Sequence, residues 1–210
     1  MKKFLSFIIL FLSILNFCFA QSGWFWQNPL PQGNDLKSVK FISSTIGWAV
    51  GSSGTILKTT NGGSSWTLQL RGTATNINFK GVSFADEDNG TVVGENGTIL
   101  RTINGGTNWN IQSSGTNNSL NAVCFTDANK GTTVGDNGTI LRTTNGGTNW
   151  ILQLSGTANS LYSASFIDAN TGTVAGDSGT ILRTINGGTN WTSQSISPTH
   201  SLISICFTDA

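Results

Sequence analysis

Hydrophobic and polar residues alternate in short runs, and the order of these runs repeats four times along the chain. Each repeat has an apolar run ending in Phe, a small β-branched run ending in Gly, a Thr-Ile-Leu-Lys/Arg-Thr run and a run that opens at Trp. Gly, Asn and Asp bound these short runs, as is typical of β-strands separated by turns. The apolar runs are Leu36–Phe41, Phe79–Phe84, Leu120–Phe125 and Leu161–Phe166.

The repeat has a fixed period. The sequence Thr-Ile-Leu-Arg-Thr-Ile-Asn-Gly-Gly-Thr-Asn-Trp at 180–191 recurs in closely similar form at 55–66, 98–109 and 139–150, with tryptophans 43, 41 and 41 residues apart. Asn-Gly at 96–97 and 137–138 favours tight hairpins, because both residues tolerate positive φ. Four antiparallel strands per unit is the plan of a propeller blade. The sequence therefore predicts an all-β fold, a β-propeller of four-stranded antiparallel blades.

The repeat also sets the expected domain limits. We expect one propeller domain over 21–210, with blades at about 36–71, 79–114, 120–155 and 161–196. Residues 21–28 carry the Trp-x-x-Gln of a fourth strand, and 202–210 repeat the apolar run of a first strand. These two stretches are interpreted as parts of one split or incomplete blade. The hypothesis is four full blades plus a partial fifth, an incomplete ring and a chain that is a fragment.

Residues 1–20 have the features of a signal peptide. Lys2 and Lys3 precede an apolar run over 4–17, and Cys18 to Ala20 place small residues where a signal peptidase reads, so cleavage is expected after Ala20. A lipoprotein anchor at Cys18 and a membrane-spanning anchor are alternatives. We expect an exported protein, periplasmic, cell-surface or extracellular, with no stable membrane span in the mature chain. Cys124 and Cys206 are expected to be buried free thiols.

The charge and composition of the chain argue against a nucleic-acid partner and against catalysis. Charged residues make up 10% of the chain and the formal net charge is +1, so no basic face for nucleic acid is expected. His200 is the sole histidine and Tyr162 the sole tyrosine. Nearly every acid recurs in phase with the repeat, whereas a catalytic residue is needed once. We therefore expect no enzyme, no catalytic residue, no metal and no cofactor.

The units resemble the repeat of the photosystem II assembly and stability factor family. The resemblance rests on Gly47-Trp48-Ala49-Val50-Gly51 and on the run from Gly54 to Trp66. The pattern Thr59-x-Asn61-x-Gly63-x-x-Trp66 is also similar to the Asp-box of sialidases, with Asn at the Asp position. The family resemblance implies an exported β-propeller, usually seven-bladed, acting as a non-catalytic scaffold for a protein partner. The alternative is an Asp-box propeller that binds or cleaves polysaccharide.

One basic residue occupies the same strand position in each repeat. The resemblance implies that clustered basic residues on one face dock a partner, whereas the structural alternative is that each side chain covers its blade and pairs with a local acid. The candidate partner-binding residues are Lys58, Arg101, Arg142 and Arg183.

The repeated tryptophans and the repeated turn acids could each have a structural or a functional role. The repeated tryptophans could stack sugars, but packing between blades is favoured for a Trp at a fixed repeat position. Glu95, Asp136 and Asp177 could form a carboxylate ring for calcium, but they lack the dense spacing of a calcium loop, which favours solvated turn residues. The tryptophans are Trp66, Trp109, Trp150 and Trp191.

Overall fold

The computed structural model describes residues 33–69, 76–194 and 200–207, and within these ranges four antiparallel sheets form. The first consists of β1 (Leu36–Phe41), β2 (Gly47–Gly51), β3 (Thr55–Thr59) and β4 (Thr67–Leu68). The second consists of β5 (Phe79–Phe84), β6 (Gly90–Gly94), β7 (Ile99–Thr102) and β8 (Asn110–Gln112). The third consists of β9 (Leu120–Phe125), β10 (Gly131–Gly135), β11 (Ile140–Thr143) and β12 (Ile151–Gln153). The fourth consists of β13 (Leu161–Phe166), β14 (Gly172–Gly176), β15 (Ile181–Thr184) and β16 (Thr192–Gln194).

The sheets are the blades of a β-propeller. Within each sheet the strands follow chain order, and the first strands β1, β5, β9 and β13 pack beside one another in turn. These first strands are therefore innermost, and they coincide with the four predicted apolar runs. Among the described residues β1 and β13 share no comparable packing, so the blades form an open arc. The predicted fold, an incomplete ring of four-stranded blades, is confirmed.

Some predicted segments lie outside the described residues. These are the signal peptide at 1–20, the Trp-x-x-Gln strand at 21–28 and the last three residues of the partial blade at 208–210. Across the part of the chain that the structure does describe, no helix is long and apolar enough to cross a membrane.

The hairpins between the second and third strands have the predicted left-handed backbone. Asn96 and Asn137 both have φ of 54°, and the glycines after them have φ of 65° and 64°. Ser53 and Ser178 hold the same φ of 54° in the first and fourth blades. Asn adopts this region more readily than Ser. The two middle blades therefore have the better-suited turn residue.

The same network of hydrogen bonds holds the Asn-Gly-Gly loop in all four blades. In the second blade the Thr102 hydroxyl donates to Asn104 Oδ1 at 3.0 Å and accepts the Gly106 N–H at 2.9 Å. Asn104 Oδ1 also accepts the Asn108 N–H at 2.9 Å. This confirms that the Asn side chain bonds its downstream backbone. The fourth strands begin directly after Trp rather than at it, because the Trp still belongs to this loop.

Packing between blades forms the apolar core. Trp48 of the first blade stacks on Phe84 of the second, with ring centroids 3.5 Å apart and planes 9° from parallel. Trp109 meets the Phe84 edge at 6.0 Å, and the equivalent Trp–Phe pairs in the other three blades have the same T-shaped geometry. The repeated tryptophans therefore pack structurally. Val92 is fully buried in the same cluster, and Val134 is fully buried in a separate cluster of the third and fourth blades.

Hydrogen bonds also join the innermost strands of adjacent blades. Phe125 N–H donates to Ser83 Oγ at 3.0 Å, and Phe207 N–H donates to Ser165 Oγ at 3.0 Å. These N–H groups belong to edge strands, whose outer side would otherwise lack a partner. The second pair shows that residues 202–207 lie against β13 as the start of a fifth unit.

The two cysteines are free thiols, as expected, but the expectation that both are buried is wrong. Cys124 on β9 is half-buried, and burial raises the pKa of its thiol although Phe166 N–H donates to it. Cys206 is exposed. The difference arises because β13 covers β9, whereas no described residue covers the segment that carries Cys206.

Candidate functional site

The four candidate cations sit at one position of the third strand, and each side chain points toward the following blade. Arg101 on β7 shows the arrangement. Its Nη2 donates to the Ala128 carbonyl of the next blade at 2.8 Å and to Asn89 Oδ1 of its own blade at 3.0 Å. Its guanidinium lies 5.3 Å from the Phe125 ring centroid. Arg101 therefore joins two blades, and only 7% of it is exposed.

Arg142 on β11 repeats this geometry one blade later. Its Nη1 donates to Thr132 Oγ1 at 2.7 Å, and its Nη2 donates to the Ala169 carbonyl of the fourth blade. The guanidinium lies 5.2 Å from the Phe166 ring centroid, and 6% of the residue is exposed. The planar guanidinium can bond two groups while it stacks on a ring, which a lysine ammonium cannot do.

Lys58 and Arg183 are the accessible members of the series. Lys58 Nζ donates to the Gly105 carbonyl at 2.9 Å and lies 5.0 Å from the Trp48 ring centroid, and it is half-buried. Arg183 is exposed and has no hydrogen-bond partner among the described residues. Arg183 lines a cavity of about 290 Å³ together with Asp168 and Phe207.

The buried cations differ from the exposed ones in their electrostatic surroundings. Burial lowers the pKa of Arg101 and of Arg142, while Asp86 and Asp127 act in the opposite direction. An arginine stays protonated in proteins, so both guanidinium groups are buried charges. Neither arginine has an ion-pair partner among the described residues, whose salt bridges are Lys37–Asp35 and Lys130–Asp127. Carbonyl and hydroxyl oxygens therefore take the place of the expected local acid.

The series is thus not one continuous basic surface. Arg101 and Arg142 stabilise the contacts between blades, and replacing either would disturb the fold as well as any docking. Arg183 can reach a partner without giving up such a contact, whereas Lys58 is half-buried and bonds the Gly105 carbonyl of the second blade. The docking role of the four residues stays a prediction. It can be tested without disturbing the contacts between blades at Arg183, which is exposed.

The turn acids lie at the other end of the blades, near the start of the innermost strands. Asn121 Nδ2 donates to Asp136 Oδ1 at 2.8 Å, and the Tyr162 hydroxyl donates to Asp177 Oδ2 at 2.8 Å. The bond to Asp177 raises the pKa of Tyr162. Bonds from Ser201 and then Tyr162 lower the pKa of Asp177. Each acid thus has its own local donor, and no cluster of three or more potential metal ligands occurs among the described residues.

Sequence reasoning missed the partners of these acids. Asn121 and Tyr162 occupy the second position of the innermost strand, where the blades carry Lys37, Lys80, Asn121 and Tyr162 in turn. This change of residue from blade to blade is visible in the sequence. The repeat alone does not show that the four side chains meet, because that depends on how the blades are arranged around the axis.

Comparisons with known proteins place the chain in a family. The family model described as photosynthesis system II assembly factor YCF48 matches residues 19–116 and 104–201. No curated protein matches the chain. A solved structure of YCF48 bound to D1 peptide is 23% identical, with 85% of this chain and 59% of that chain covered and a TM-score of 0.68.

Two further solved structures extend the comparison. YCF48 from Cyanidioschyzon merolae is 26% identical, covers 84% of this chain and 61% of that one, and has a TM-score of 0.67. An ancestral GH74 enzyme is 19% identical, covers 82% of this chain and 25% of that one, and has a TM-score of 0.66. The last likeness shows the fold alone. The chain spans about three-fifths of the length of the two YCF48 structures.

Proposed function

The chain belongs to the photosynthesis system II assembly factor YCF48 family, and from that premise we propose that it is an exported, non-catalytic β-propeller that binds a protein partner as an assembly scaffold. The match to the family model over 19–116 and 104–201 carries this proposal. The binding of a D1 peptide by a related YCF48 supports a peptide or protein ligand. Docking would use a propeller face or the mouth of the central channel.

The regularity of the repeat supports a binding role over catalysis. The acids that recur in phase on the turns each accept local hydrogen bonds, as Asp86 does from Asn89 at 2.7 Å. Acids held in this way have their oxygens occupied by local donors, whereas a glycosidase needs two carboxyl groups at a set separation, one of them able to donate a proton. GH74 enzymes share the fold, so polysaccharide cleavage is the alternative to test directly.

The first experiment compares the two functions on one protein sample. Fluorescence anisotropy would measure binding of a labelled D1 peptide, and release of reducing ends would measure cleavage of soluble polysaccharides. We expect saturable peptide binding and no cleavage above buffer. Cleavage without peptide binding would overturn the proposal in favour of the carbohydrate-active alternative.

A pair of variants tests the accessible part of the basic series. Arg183→Glu should weaken peptide binding and leave the thermal unfolding midpoint nearly unchanged, because Arg183 is exposed. Lys40→Glu makes the same change of charge at an exposed position outside the series and is the matched control. Equal binding by the two variants and the parent would remove Arg183 from the docking surface.

Export is tested separately. We propose that 1–20 direct export and are removed after Ala20. Mass spectrometry of the protein recovered outside the cytoplasm should find Gln21 as the first residue. Recovery of the uncleaved chain, or of a lipid-modified Cys18, would contradict this proposal.

A further inference from the structure

The chain contains seven Asn-Gly pairs, the dipeptide in which asparagine deamidates most readily without an enzyme. Glycine has no Cβ, so its backbone nitrogen can approach the preceding side-chain amide closely. In a folded protein, hydrogen bonds on that nitrogen and on that amide decide whether the two groups can meet. The seven asparagines are Asn61, Asn89, Asn96, Asn104, Asn137, Asn145 and Asn186.

In the four Asn-Gly-Gly loops both reacting groups are held by hydrogen bonds. The Asn104 amide oxygen accepts the Thr102 hydroxyl and the Asn108 N–H, and the other three loops repeat both bonds. The attacking nitrogen is engaged as well, because Gly105 N–H donates to the Asp88 carbonyl at 3.0 Å. The equivalent glycines of the other loops donate at 2.8, 2.8 and 2.9 Å. These four pairs are therefore protected.

The Asn89 side chain is fixed in a different way. Its Nδ2 donates to both Asp86 carboxylate oxygens at 2.9 Å, and its Oδ1 accepts Arg101 Nη2 at 3.0 Å. Arg101 is a buried charge, so the loss of this acceptor would be costly. The amide is therefore held away from reaction.

The two remaining pairs lie in equivalent hairpins and share one backbone conformation. Asn96 and Asn137 are both exposed, and both have φ of 54°. At the second pair, Asn137 Nδ2 donates to Asn118 Oδ1 at 3.1 Å, and Gly138 N–H donates to the Asn159 carbonyl at 3.0 Å. Both reacting groups of the Asn137 pair are thus held.

The Asn96 pair lacks both of these bonds. Within the part of the chain that the structure describes, neither the Asn96 amide nor the Gly97 N–H has a hydrogen-bond partner. The sequence gives the reason for the free amide, because Ile77 stands where the third blade has Asn118. Asn96 and Gly97 line a cavity of about 430 Å³ together with Ile77. An exposed side chain beside a cavity is accessible to water.

We propose that Asn96–Gly97 is the site at which the folded protein deamidates. The Gly97 nitrogen forms a bond to Asn96 Cγ, the Cγ–Nδ2 bond breaks, and the Gly97 proton leaves with that nitrogen as ammonia. Water then opens the resulting succinimide ring. Cleavage at Cγ gives aspartate, and cleavage at the main-chain carbonyl carbon gives isoaspartate. The sequence of steps needs water alone and involves no oxidation or reduction.

The two products should differ in their effect on the hairpin between β6 and β7. Thr98 N–H donates to the Glu95 carbonyl at 3.0 Å and closes a turn of two central residues. Isoaspartate adds a methylene to the backbone inside this turn, so it should lower the thermal unfolding midpoint. Asn96→Asp produces the aspartyl form alone, keeps the backbone length and should unfold close to the parent.

Peptide mapping by mass spectrometry tests the site during incubation in a mildly alkaline buffer. In the folded protein Asn96 should convert about tenfold faster than Asn137, because two hydrogen bonds must first break at Asn137. In urea the seven pairs should convert at similar rates, since the fold no longer protects any of them. Equal rates at Asn96 and Asn137 in the folded protein, or faster conversion in an Asn-Gly-Gly loop, would overturn the proposal.

A reciprocal pair of variants tests the cause. Ile77→Asn supplies the missing amide partner and should slow conversion at Asn96. Asn118→Ile removes the partner of Asn137 and should speed conversion there by about fivefold, since one of its two bonds is lost. Ile77 packs against the core, so Asn118→Ile is the decisive variant. An unchanged rate at Asn137 in Asn118→Ile would contradict the proposal. The proposed binding function would stand in either case, because deamidation does not depend on a partner.

Discussion

The first blade and the second blade carry the same sequence pattern but bury it to very different extents. On β1, Leu36, Val39 and Phe41 are 49%, 60% and 40% exposed, whereas the equivalent residues of β5 are almost fully buried. β5 lies between β1 and β9, while β1 has a neighbour on one side among the described residues. The contrast teaches that the apolar face of a blade is buried by the blades on its two sides rather than by the blade itself.

The arginine series shows the same contrast at the other end of the arc. Arg101 and Arg142 each bond a carbonyl of the following blade, and Arg183 in the fourth blade is exposed. The equivalent position therefore has a structural role in the middle blades and is free for another role at the edge. Predictions that contrast middle and edge positions test this directly.

The largest effect is expected from truncating an equivalent Phe in the two blades. Phe84 is 3% exposed and stacks on Trp48, so Phe84→Ala should lower the free energy of unfolding by about 3–5 kcal/mol. Phe41→Ala, at 40% exposure, should cost about 1 kcal/mol. Urea denaturation measures both. Equal losses would show that β1 is as well covered as β5.

A smaller effect is expected from removing an equivalent arginine. Arg101→Met keeps the length of the side chain but leaves the Ala128 carbonyl without its donor, which should cost about 1–3 kcal/mol. Arg183→Met should change stability by less than about 0.5 kcal/mol, because the side chain is exposed. Thermal unfolding of the two variants checks the pair. A large loss in Arg183→Met would mean that this arginine also supports the fold.

A gain in stability is expected from giving an edge blade the turn of a middle blade. Ser53 and Asn96 have the same φ of 54°, and Asn occupies this conformation with less strain. Ser53→Asn should therefore stabilise the protein by about 0.5 kcal/mol. The reciprocal change Asn96→Ser is the control and should destabilise by a similar amount. An unchanged unfolding midpoint in both would remove turn strain as a difference between the blades.

The smallest effect concerns acid stability at a turn that differs between the blades. Asp127 accepts the Asn129 and Lys130 N–H groups, and the first of these bonds most strongly lowers its pKa below the ordinary 3.8. A lowered carboxyl pKa contributes stability above the ordinary value, and that stability is lost as pH falls through the lowered value. Asp127→Ser, which copies Ser43 of the first blade, should flatten this decline.

Urea midpoints between pH 7 and pH 2 would measure the decline in the parent and in Asp127→Ser. Above about pH 5 the parent carboxyl is fully ionised, so its stabilising contribution is complete and this residue should add no change of stability with pH in either protein. Parallel curves throughout the range would mean that the turn does not depend on the charge of Asp127.

Local features were the most predictable from the sequence. Asn96 and Asn137 predicted left-handed turns, because few residues adopt that backbone. The repeated Asn-Gly-Gly sequence predicted that its Asn side chain, such as that of Asn104, bonds the backbone of its own loop. The sequence predicted that Trp109 has a packing role, but it did not predict that Trp109 packs against the edge of the Phe84 ring. The exposure of Cys206 was predicted wrongly, because the repeat gives a residue its place in a blade and not the presence of the next blade.

The sequence by itself determined the strand pattern, the turn conformations and the propeller class, because these depend on periodicity and on backbone preferences within about 40 residues. Only the tertiary structure decided which copies of a repeated residue are buried. It placed Arg101 between two blades and left Arg183 exposed, and it brought Lys37, Lys80, Asn121 and Tyr162 to the wall of one cavity. The physical reason is that burial and convergence depend on contacts between blades, which lie one or more whole repeats apart in the chain.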